Sequence, residues 1–291
     1  MSSENQKVII TAALTGAATR KEQNPAVPYT PEEYADTVAK CYEAGASIVH
    51  IHARDPETGM PTPSIDVLRA ILEAIKAKTP EILINLSTAI GPGVPARDRI
   101  KPVKVFKPEL ASLNTNSMNF AIGNWATGEV LQEIIFENRF ADIKMFARNM
   151  KKANTKPEIE VYDMGGLYNI LFMQRAKLIP EPLHFQFVFG VLGGVPFSLM
   201  NLAHFLEVMP PGSTWSVCGV AKNQIQAAMC AVTQGGHIRV GLEDSIRNHK
   251  GDLAEGSWEQ VAWAAKVVEL AGLEVATPDD TRKILGLRPK E

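Results

Sequence analysis

The chain has 291 residues, of which 45% are hydrophobic and 21% charged, as in ordinary soluble globular proteins. Its formal net charge is −2 at pH 7 and no basic run stands out, which argues against a nucleic-acid partner. No stretch approaches the roughly 18 consecutive apolar residues of a membrane span, so we expect no membrane partner.

The N-terminus and the cysteines indicate the cellular compartment. Residues 1–7 are polar and lack the apolar segment of a secretory signal. Cys41, Cys218 and Cys230 form no C-x-x-C pair and are expected to be buried thiols. We therefore predict a reducing, cytoplasmic location.

Strands and helices alternate along the first half of the chain. Residues 8–13 predict a short buried strand. A helix is predicted to start at Thr30 and Pro31, because Thr is a favoured N-cap, Pro fits the first turn and Glu33 completes a capping box. It ends at residue 44, before Gly45. The elements that follow are a strand at 48–55, a helix at 65–78 capped by Ser64, and a strand at 82–86.

The alternation continues to the C-terminus. The strands predicted in the second half are 110–114, 159–162, 183–189, 214–217 and 237–241. The predicted helices are 96–104, 128–152 with a break near Asn138, 166–177, 198–208, 223–234, 258–271 and 278–285.

Eight strands alternating with helices predict one α/β domain over residues 1–291, a (β/α)8 TIM barrel with a short C-terminal helix. A doubly wound sheet is the alternative. That fold favours a Gly-x-Gly-x-x-Gly turn after its first strand, which Gly16-Ala17-Ala18 does not provide.

Two histidines, His50 and His52, stand two residues apart on the second predicted strand. Side chains alternate across a strand, so both project from the same side, about 7 Å apart along the chain. Such a pair can reach one metal ion from a rigid platform. Two unrelated strand histidines with separate hydrogen bonds are the alternative.

Polar residues are concentrated where TIM-barrel active sites lie, at the carboxyl ends of the strands. They are Thr15, His50, His52, Ser87, residues 114–119, Glu160, Arg239, Glu243 and Asp244. In a closed barrel the first strand adjoins both the second and the eighth, so Glu243 can approach the histidine pair. Two histidines and one carboxylate predict a catalytic divalent site, zinc by preference. A solvated loop carboxylate is the alternative for Glu243.

Asp244 is a candidate general base beside this predicted metal site. Arg239 is a candidate cation that either keeps Asp244 ionised or binds a substrate carboxylate. An ordinary surface salt bridge is the alternative for this pair. His184 and His237 are expected to be structural, because one lies on an apolar strand and the other at the opposite end of the eighth strand.

These motifs resemble those of the β-keto acid cleavage enzymes. The specific features are His50-x-His52 and the run Gly235-Gly236-His237-Ile238-Arg239 followed by Glu243-Asp244. Matching segments cover nearly the whole chain: 11–17, 30–33, 43–46, 50–54, 85–88, 117–120, 158–162, 187–194, 235–244 and 276–278.

The resemblance implies a TIM barrel with zinc at His50, His52 and Glu243, and acetyl-CoA as co-substrate. A β-keto acid and acetyl-CoA would give acetoacetate and a new CoA thioester. Asp244 and Arg239 would generate the acetyl-CoA enolate, which adds to the zinc-polarised keto group. CoA transfer within the adduct and a retro-Claisen step would follow.

Further implications of the resemblance concern substrate and assembly. Ser87 and Ser117 match positions that hydrogen-bond the substrate, and Glu160 is grouped with them as substrate-binding. The resemblance also implies a homo-oligomer, a tetramer. Family members that cleave 3-keto-5-aminohexanoate carry a Glu for its ammonium where this chain has Ala18. We therefore expect a β-keto acid with a neutral or anionic tail.

Three other functions are compatible with parts of the pattern. A metal-dependent hydrolase on this fold usually carries its His-x-His on the first strand, whereas here it lies on the second. A class II-type aldolase needs a second histidine pair, which the sequence does not show. A non-enzymatic binding barrel would leave the polar residues inert. Metal content and CoA-dependent turnover would separate these alternatives.

Overall fold

Twelve strands and ten helices make up the described part of the chain. The computed structural model describes residues 7–124 and 126–287, so residues 1–6 of the N-terminal segment and residues 288–291 lie outside it. The strands are β1 (Lys7–Val8), β2 (Ile10–Ala13), β3 (Ile48–Ile51), β4 (Leu83–Leu86), β5 (Leu110–Asn114), β6 (Met118–Asn124), β7 (Glu129–Phe136), β8 (Lys156–Val161), β9 (His184–Phe189), β10 (Thr214–Gly219), β11 (His237–Val240) and β12 (Glu274–Val275). The helices are α1 (Pro31–Glu43), α2 (Ile65–Lys78), α3 (Ala96–Arg99), α4 (Lys101–Phe106), α5 (Phe140–Lys152), α6 (Met164–Gln174), α7 (Leu199–Val208), α8 (Asn223–Thr233), α9 (Ser257–Leu270) and α10 (Pro278–Ile284).

Eight parallel strands close into a barrel in the order β2, β3, β4, β5, β8, β9, β10 and β11. β2 pairs with β11 on one side and with β3 on the other. Only β2 therefore separates the end of β11 from β3, the strand that leads into the histidine pair. The predicted (β/α)8 barrel is confirmed. Its extent as one domain over residues 1–291 stays a prediction.

Local capping signals place the helices that surround the barrel. Thr30 Oγ1 accepts a hydrogen bond from the Glu33 N–H at 3.3 Å, and the Glu33 carboxylate accepts one from the Thr30 N–H at 3.1 Å. Ser64 Oγ accepts from the Val67 N–H at 3.3 Å, and α2 has the predicted bounds. Caps of this kind stabilise a helix by about 1 kcal/mol each.

The hydrophobic core lies mainly between the barrel strands and the helices around them. Alternate strand residues such as Val49, Ile84 and Ile159 point outward into it. The residues between them point into the barrel and are largely polar: His50, Asn85, Asn114, Glu158, Glu160, Gln186, Ser216 and Arg239, all buried. TIM-barrel interiors are more often filled by branched apolar side chains, so hydrogen bonds and charge pairs replace apolar packing here.

The predicted helix at 128–152 is wrong over its first part. β6 and β7 form an antiparallel hairpin there, with Phe120 paired to Ile134, and α5 begins only at Phe140. The sequence turns at Gly128, whose positive φ of 75° suits a glycine. β-Branched and aromatic residues on both strands favour this pairing.

Two smaller observations complete the fold. The predicted helix at 96–104 forms two short helices, α3 and α4, which meet at Ile100. The cause is Pro102, which lacks the N–H that a continuous helix needs at this position. Within the described ranges, every helix is too short or too polar to cross a lipid bilayer.

Candidate active site at the carboxyl end of the barrel

His50 and His52 project from the same side of the segment that leaves the barrel at β3. Their ring centroids lie 5.2 Å apart, and the two side chains are 1% and 6% exposed. The backbone carbonyl of His52 accepts hydrogen bonds from the Tyr34 hydroxyl at 2.6 Å and the Thr15 hydroxyl at 3.2 Å. The predicted orientation of the histidine pair is confirmed. The two hydroxyls hold the backbone at His52.

Glu243 reaches this pair from the loop after β11. Its Oε1 lies 3.7 Å from Nε2 of His50 and 3.4 Å from Nε2 of His52. Ligand atoms in a tetrahedral zinc site with bonds of about 2.0–2.1 Å are ~3.3 Å apart. The three side chains therefore fit a single divalent ion.

The charge states of these groups suit a cation. Burial lowers the pKa of His50 to about 3, so its imidazole is neutral and can donate a lone pair. Burial alone would raise the pKa of Glu243, but Arg239 and the two histidines hold it well below its ordinary value. Neutral imidazoles and an ionised carboxylate are the forms that bind a metal.

Arg239 and Asp244 form a buried bidentate pair. Arg239 Nε donates to Oδ2 of Asp244 at 2.9 Å, and Nη2 donates to Oδ1 at 2.8 Å. Their side chains are 5% and 4% exposed, so the alternative of a surface salt bridge is wrong. Burial raises the pKa of Asp244, while Arg239 acts in the opposite direction. The geometry is that of a carboxylate held in one orientation by a fixed cation.

The same guanidinium contacts two further carboxylates. Arg239 Nη2 donates to Glu243 Oε1 at 2.6 Å, and Nη1 donates to Glu160 Oε1 at 3.5 Å. Burial raises the pKa of Glu160 to about 8, against the opposing effect of Arg239. Arg239 thus joins the candidate metal ligand Glu243, the candidate base Asp244 and Glu160 in one network.

Below this network, His50, Glu158 and Glu160 form a second group whose ligand atoms lie within 4.8 Å of one another. Asn85 Nδ2 donates to Glu158 at 2.7 Å, and burial raises the pKa of the Glu158 carboxyl. The positive Arg239 beside Glu160 disfavours a second cation here. The role of Glu160 in substrate binding stays a prediction.

The two predicted substrate serines occupy different places. Ser87 directly follows β4, and it lines a small cavity together with His52. Ser117 follows β5 and is exposed, and its hydroxyl accepts a hydrogen bond from the Asn138 N–H at 2.8 Å. Ser87 therefore lies beside the candidate metal ligand His52. Ser117 follows β5, two strands along the rim from β3. Their roles stay predictions.

The histidines predicted to be structural have partners inside the barrel. His237 Nδ1 accepts a hydrogen bond from the Ile9 N–H at 3.1 Å, and His184 Nδ1 lies 2.9 Å from the Thr214 hydroxyl. Both rings are buried near the end of the barrel opposite the candidate site. Their contacts agree with a structural role.

Two residues that hold the site were missed by the sequence analysis. The Gly16 N–H donates to Glu243 Oε2 at 3.1 Å. Arg54, 1% exposed, donates to the carbonyls of Gly16, Thr19 and Gly59 at 2.6–2.7 Å. The sequence signal that could have identified Arg54 was its position two residues after His52. A buried arginine next to a site usually holds a loop or a ligand.

A buried histidine–carboxylate group beside an arginine–aspartate pair, at the carboxyl ends of a TIM barrel, is the arrangement expected of an enzyme active site. The sequence profile of the beta-keto acid cleavage enzyme family matches residues 7–287. The chain belongs to this family. The predicted family and the predicted enzyme class, an acyltransferase, are confirmed.

Two relatives and one solved structure illustrate the match. The chain is 40% identical to a 3-keto-5-aminohexanoate cleavage enzyme of Fusobacterium nucleatum subsp. nucleatum, over 97% of this chain and 99% of the relative. It is 37% identical to a 3,5-dioxohexanoate:acetyl-CoA acetone transferase of Paraburkholderia graminis, over 97% and 96%. The structure of ObcA with oxaloacetate shares the fold, with a TM-score of 0.72 at 22% identity over 91% of this chain and 68% of ObcA.

Proposed function

We propose that this enzyme is zinc-dependent and converts a β-keto acid and acetyl-CoA into acetoacetate and a new acyl-CoA. The observation that carries the proposal is the contact of Glu243 Oε1 with both histidines while Arg239 links the same carboxylate to Asp244. This arrangement supports the proposal of a metal site with a held base beside it. A cytoplasmic homo-oligomer, a tetramer, is proposed with it on the family resemblance.

His50, His52 and Glu243 would hold the ion. A bound divalent ion would supply Lewis-acid polarisation of the substrate keto oxygen. The protein orients these ligands through its own contacts: the hydroxyls of Tyr34 and Thr15 hold the carbonyl of His52, and the Gly16 N–H holds Glu243.

Asp244 would take a proton from the methyl group of acetyl-CoA. The C–H bond breaks, the proton moves to a carboxylate oxygen of Asp244, and the electron pair of the resulting enolate forms the new C–C bond to the keto carbon, while the π electron pair of the keto C=O bond moves onto the keto oxygen. Arg239 keeps the carboxylate in place through two hydrogen bonds and offsets the negative charge that develops beside it. The overall reaction consumes no water and no oxidant, since the substrate acyl group goes to CoA and the acetyl group goes into acetoacetate.

We propose a substrate with a neutral or anionic tail. Ala18 lies on the loop between β2 and α1, two residues after Gly16, which contacts Glu243. The Ala18 side chain carries no charge, so it leaves an ammonium tail without a partner at this position. Ala18 is exposed in the free protein, and an ammonium that the bound substrate buries against it without a partner would cost several kcal/mol.

Metal analysis and product analysis together test the proposal. We expect about one zinc ion per chain in protein purified without added metal, and its loss in the His50→Ala/His52→Ala variant. His204→Ala, which changes an exposed histidine on α7, is the control and retains the metal. A panel of β-keto acids with acetyl-CoA should yield acetoacetate and acyl-CoA by mass spectrometry. Cleavage without acetyl-CoA, or metal retained by the double variant, would overturn it.

A further inference from the structure

Asn85 lies beside His50 on the neighbouring strand of the barrel. In the pairing of β3 with β4 the two residues are register partners, and both side chains point into the barrel. Neighbouring strands lie about 4.8 Å apart, so side chains at paired positions on one face are within reach of each other. His52 lies beyond the last residue of β3 and has no register partner on β4. Asn85 is therefore a neighbour of only the first histidine of the pair.

His50 and Asn85 each have one buried polar atom without a partner. Within the described part of the chain, His50 Nδ1 and Asn85 Oδ1 make no hydrogen bond of normal geometry. The two residues are 1% and 0% exposed. A buried ring N–H and a buried amide oxygen that stay unpaired both destabilise the folded state. A hydrogen bond between the two would satisfy both atoms at once.

Glu158 determines which side of the Asn85 amide faces His50. Asn85 Nδ2 donates to Glu158 Oε1 at 2.7 Å inside the barrel. This bond turns the NH2 group toward β8 and leaves Oδ1, an acceptor, on the side of β3. Burial has the largest effect on the pKa of His50 and lowers it, whereas the Asn85 side chain raises it, as an acceptor at the ring N–H does.

The other ring nitrogen of His50 faces the candidate metal site. His50 Nε2 lies 3.7 Å from Glu243 Oε1, so Nε2 is the nitrogen whose lone pair a metal ion would use. A neutral imidazole carries one proton, so a lone pair on Nε2 requires the proton to be on Nδ1. Without an acceptor at Nδ1, the proton would favour Nε2, where the carboxylate of Glu243 can accept it.

We propose that Asn85 is a positioning residue whose Oδ1 accepts the Nδ1–H of His50 and so keeps the lone pair of Nε2 available. The inference rests on the proposed metal site, because it assigns the tautomer that His50 needs as a ligand. An acceptor on the outer nitrogen of a metal-binding histidine fixes both the tautomer and the orientation of the ring. Asn85, and Glu158 through it, thus join the groups that determine metal affinity.

Nitrogen NMR of the metal-free protein tests the tautomer directly. With nitrogen-15 in the side chains of the six histidines, protonated and unprotonated ring nitrogens have distinct shifts, and His50→Gln identifies the signals of His50. At neutral pH we expect the proton of His50 on Nδ1 in the wild type and on Nε2 in Asn85→Leu. The tautomer of His52 should be the same in both proteins. A wild-type proton on Nε2 would overturn the proposal.

Competition with a chelator measures the effect on metal affinity. Asn85→Leu should lower the affinity about 10- to 100-fold. Gln186→Met is the matched control, because Gln186 is also a buried amide inside the barrel and its Nε2 has no partner among the described residues. β9, which carries Gln186, lies four strands from β3 in either direction around the barrel. The control should keep the affinity and the His50 tautomer of the wild type.

Circular dichroism establishes that each variant is folded. If Asn85→Leu does not fold, the spectrum of the wild type alone decides the tautomer. Equal losses of affinity in Asn85→Leu and Gln186→Met, or an unchanged His50 tautomer in folded Asn85→Leu, would overturn the proposal. A wild type that binds no zinc would contradict the proposed function, whereas the tautomer of the metal-free protein would still test the role of Asn85.

Discussion

The Gly16 N–H donates a hydrogen bond to Oε2 of Glu243 across 227 residues of sequence, at 3.1 Å. Gly16 has a positive φ of 59°, and a Cβ at this position would lie 2.7 Å from Cγ of Glu243. A side chain is therefore excluded by both the backbone conformation and the close approach. The loop after β2 can therefore approach the proposed metal ligand Glu243 this closely only because position 16 is glycine.

Gly16→Ala should lower metal affinity at least about tenfold, since the strain of a left-handed alanine and the displaced carboxylate together exceed about 1.4 kcal/mol. Competition with a chelator measures the affinity. Gly272→Ala is the matched control, because Gly272 has a φ of 73° and no heavy atom within 4 Å of the added Cβ. An unchanged affinity in Gly16→Ala would show that Glu243 is not positioned by this contact.

Arg54→Lys should weaken metal binding about tenfold. Arg54 holds the carbonyls of Gly16 and Thr19, and a lysine ammonium cannot reproduce the planar set of donors that reaches all three acceptors. Chelator competition and the Tm of the metal-free protein are the measurements.

Arg99→Lys is the matched control for that experiment. Arg99 is also buried and has three oxygen acceptors, on Thr88, Glu137 and Asn138, at 2.6–2.8 Å. Both variants should lower the Tm, but only Arg54→Lys should change metal affinity. Equal losses of affinity in the two variants would contradict the assigned role of Arg54.

Asp244→Asn should retain the metal and the fold but lose turnover by about 100- to 10,000-fold, because an amide cannot accept the methyl proton. Exchange of the acetyl-CoA methyl protons with solvent deuterium isolates this step and can be followed by mass spectrometry. If the variant exchanges deuterium at the wild-type rate, Asp244 is structural and another group is the base.

Ala18→Glu should shift substrate preference toward an amino-bearing β-keto acid by at least about tenfold in kcat/KM, because it supplies a partner for the ammonium. The substrates to compare are 3-oxo-5-aminohexanoate, 3-oxohexanoate and 3-oxoadipate. Ala271→Glu, an exposed position at the end of α9, controls for the added charge. A wild type that already prefers the amino substrate would contradict the argument from this position.

His237 should make the protein sensitive to acid. Burial lowers its pKa to about 4, and its Nδ1 accepts the Ile9 N–H, a bond that protonation removes. The pKa in the folded state lies below the ordinary value of 6.5, so the stabilisation is complete above about pH 6.5 and is lost as the pH falls through 4. The total is about 3 kcal/mol.

Urea unfolding between pH 8 and pH 4.5 measures this dependence. His237→Asn keeps an acceptor for the Ile9 N–H but does not titrate, so its free energy of unfolding should fall less steeply with acid than that of the wild type. Identical slopes in the two proteins would show that His237 does not contribute.

Capping residues and residue spacing within a short segment predicted those features of the fold that depend on that segment alone. The Ser64 cap and α2 have the expected bounds, and the spacing of His50 and His52 predicts their common side. The hairpin of β6 and β7 was missed because Val130, Leu131, Ile134 and Ile135 are spaced as on one face of a helix. Their strand conformation depends on pairing with β6, which periodicity within one segment does not reveal.

The contacts that complete the site are of a different kind. The approach of Glu243 to the histidines was predictable, because closure of the barrel makes β11 and β3 neighbours of β2. The bond from Gly16 and the three acceptors of Arg54 involve backbone groups of loops. Loop conformation follows from packing of the whole chain, so residue type alone does not predict which backbone group a side chain will meet.

The network around Arg239 has a consequence for how this enzyme can change over evolution. A substitution at Arg239, Glu243 or Asp244 alters the charge and position of the others, so these residues are constrained together. Ala18 lies on a loop outside that network, in a segment that can vary while the proposed reacting groups stay in place. New substrate tails can therefore be accommodated by changes in the rim loops, with the chemistry inherited intact.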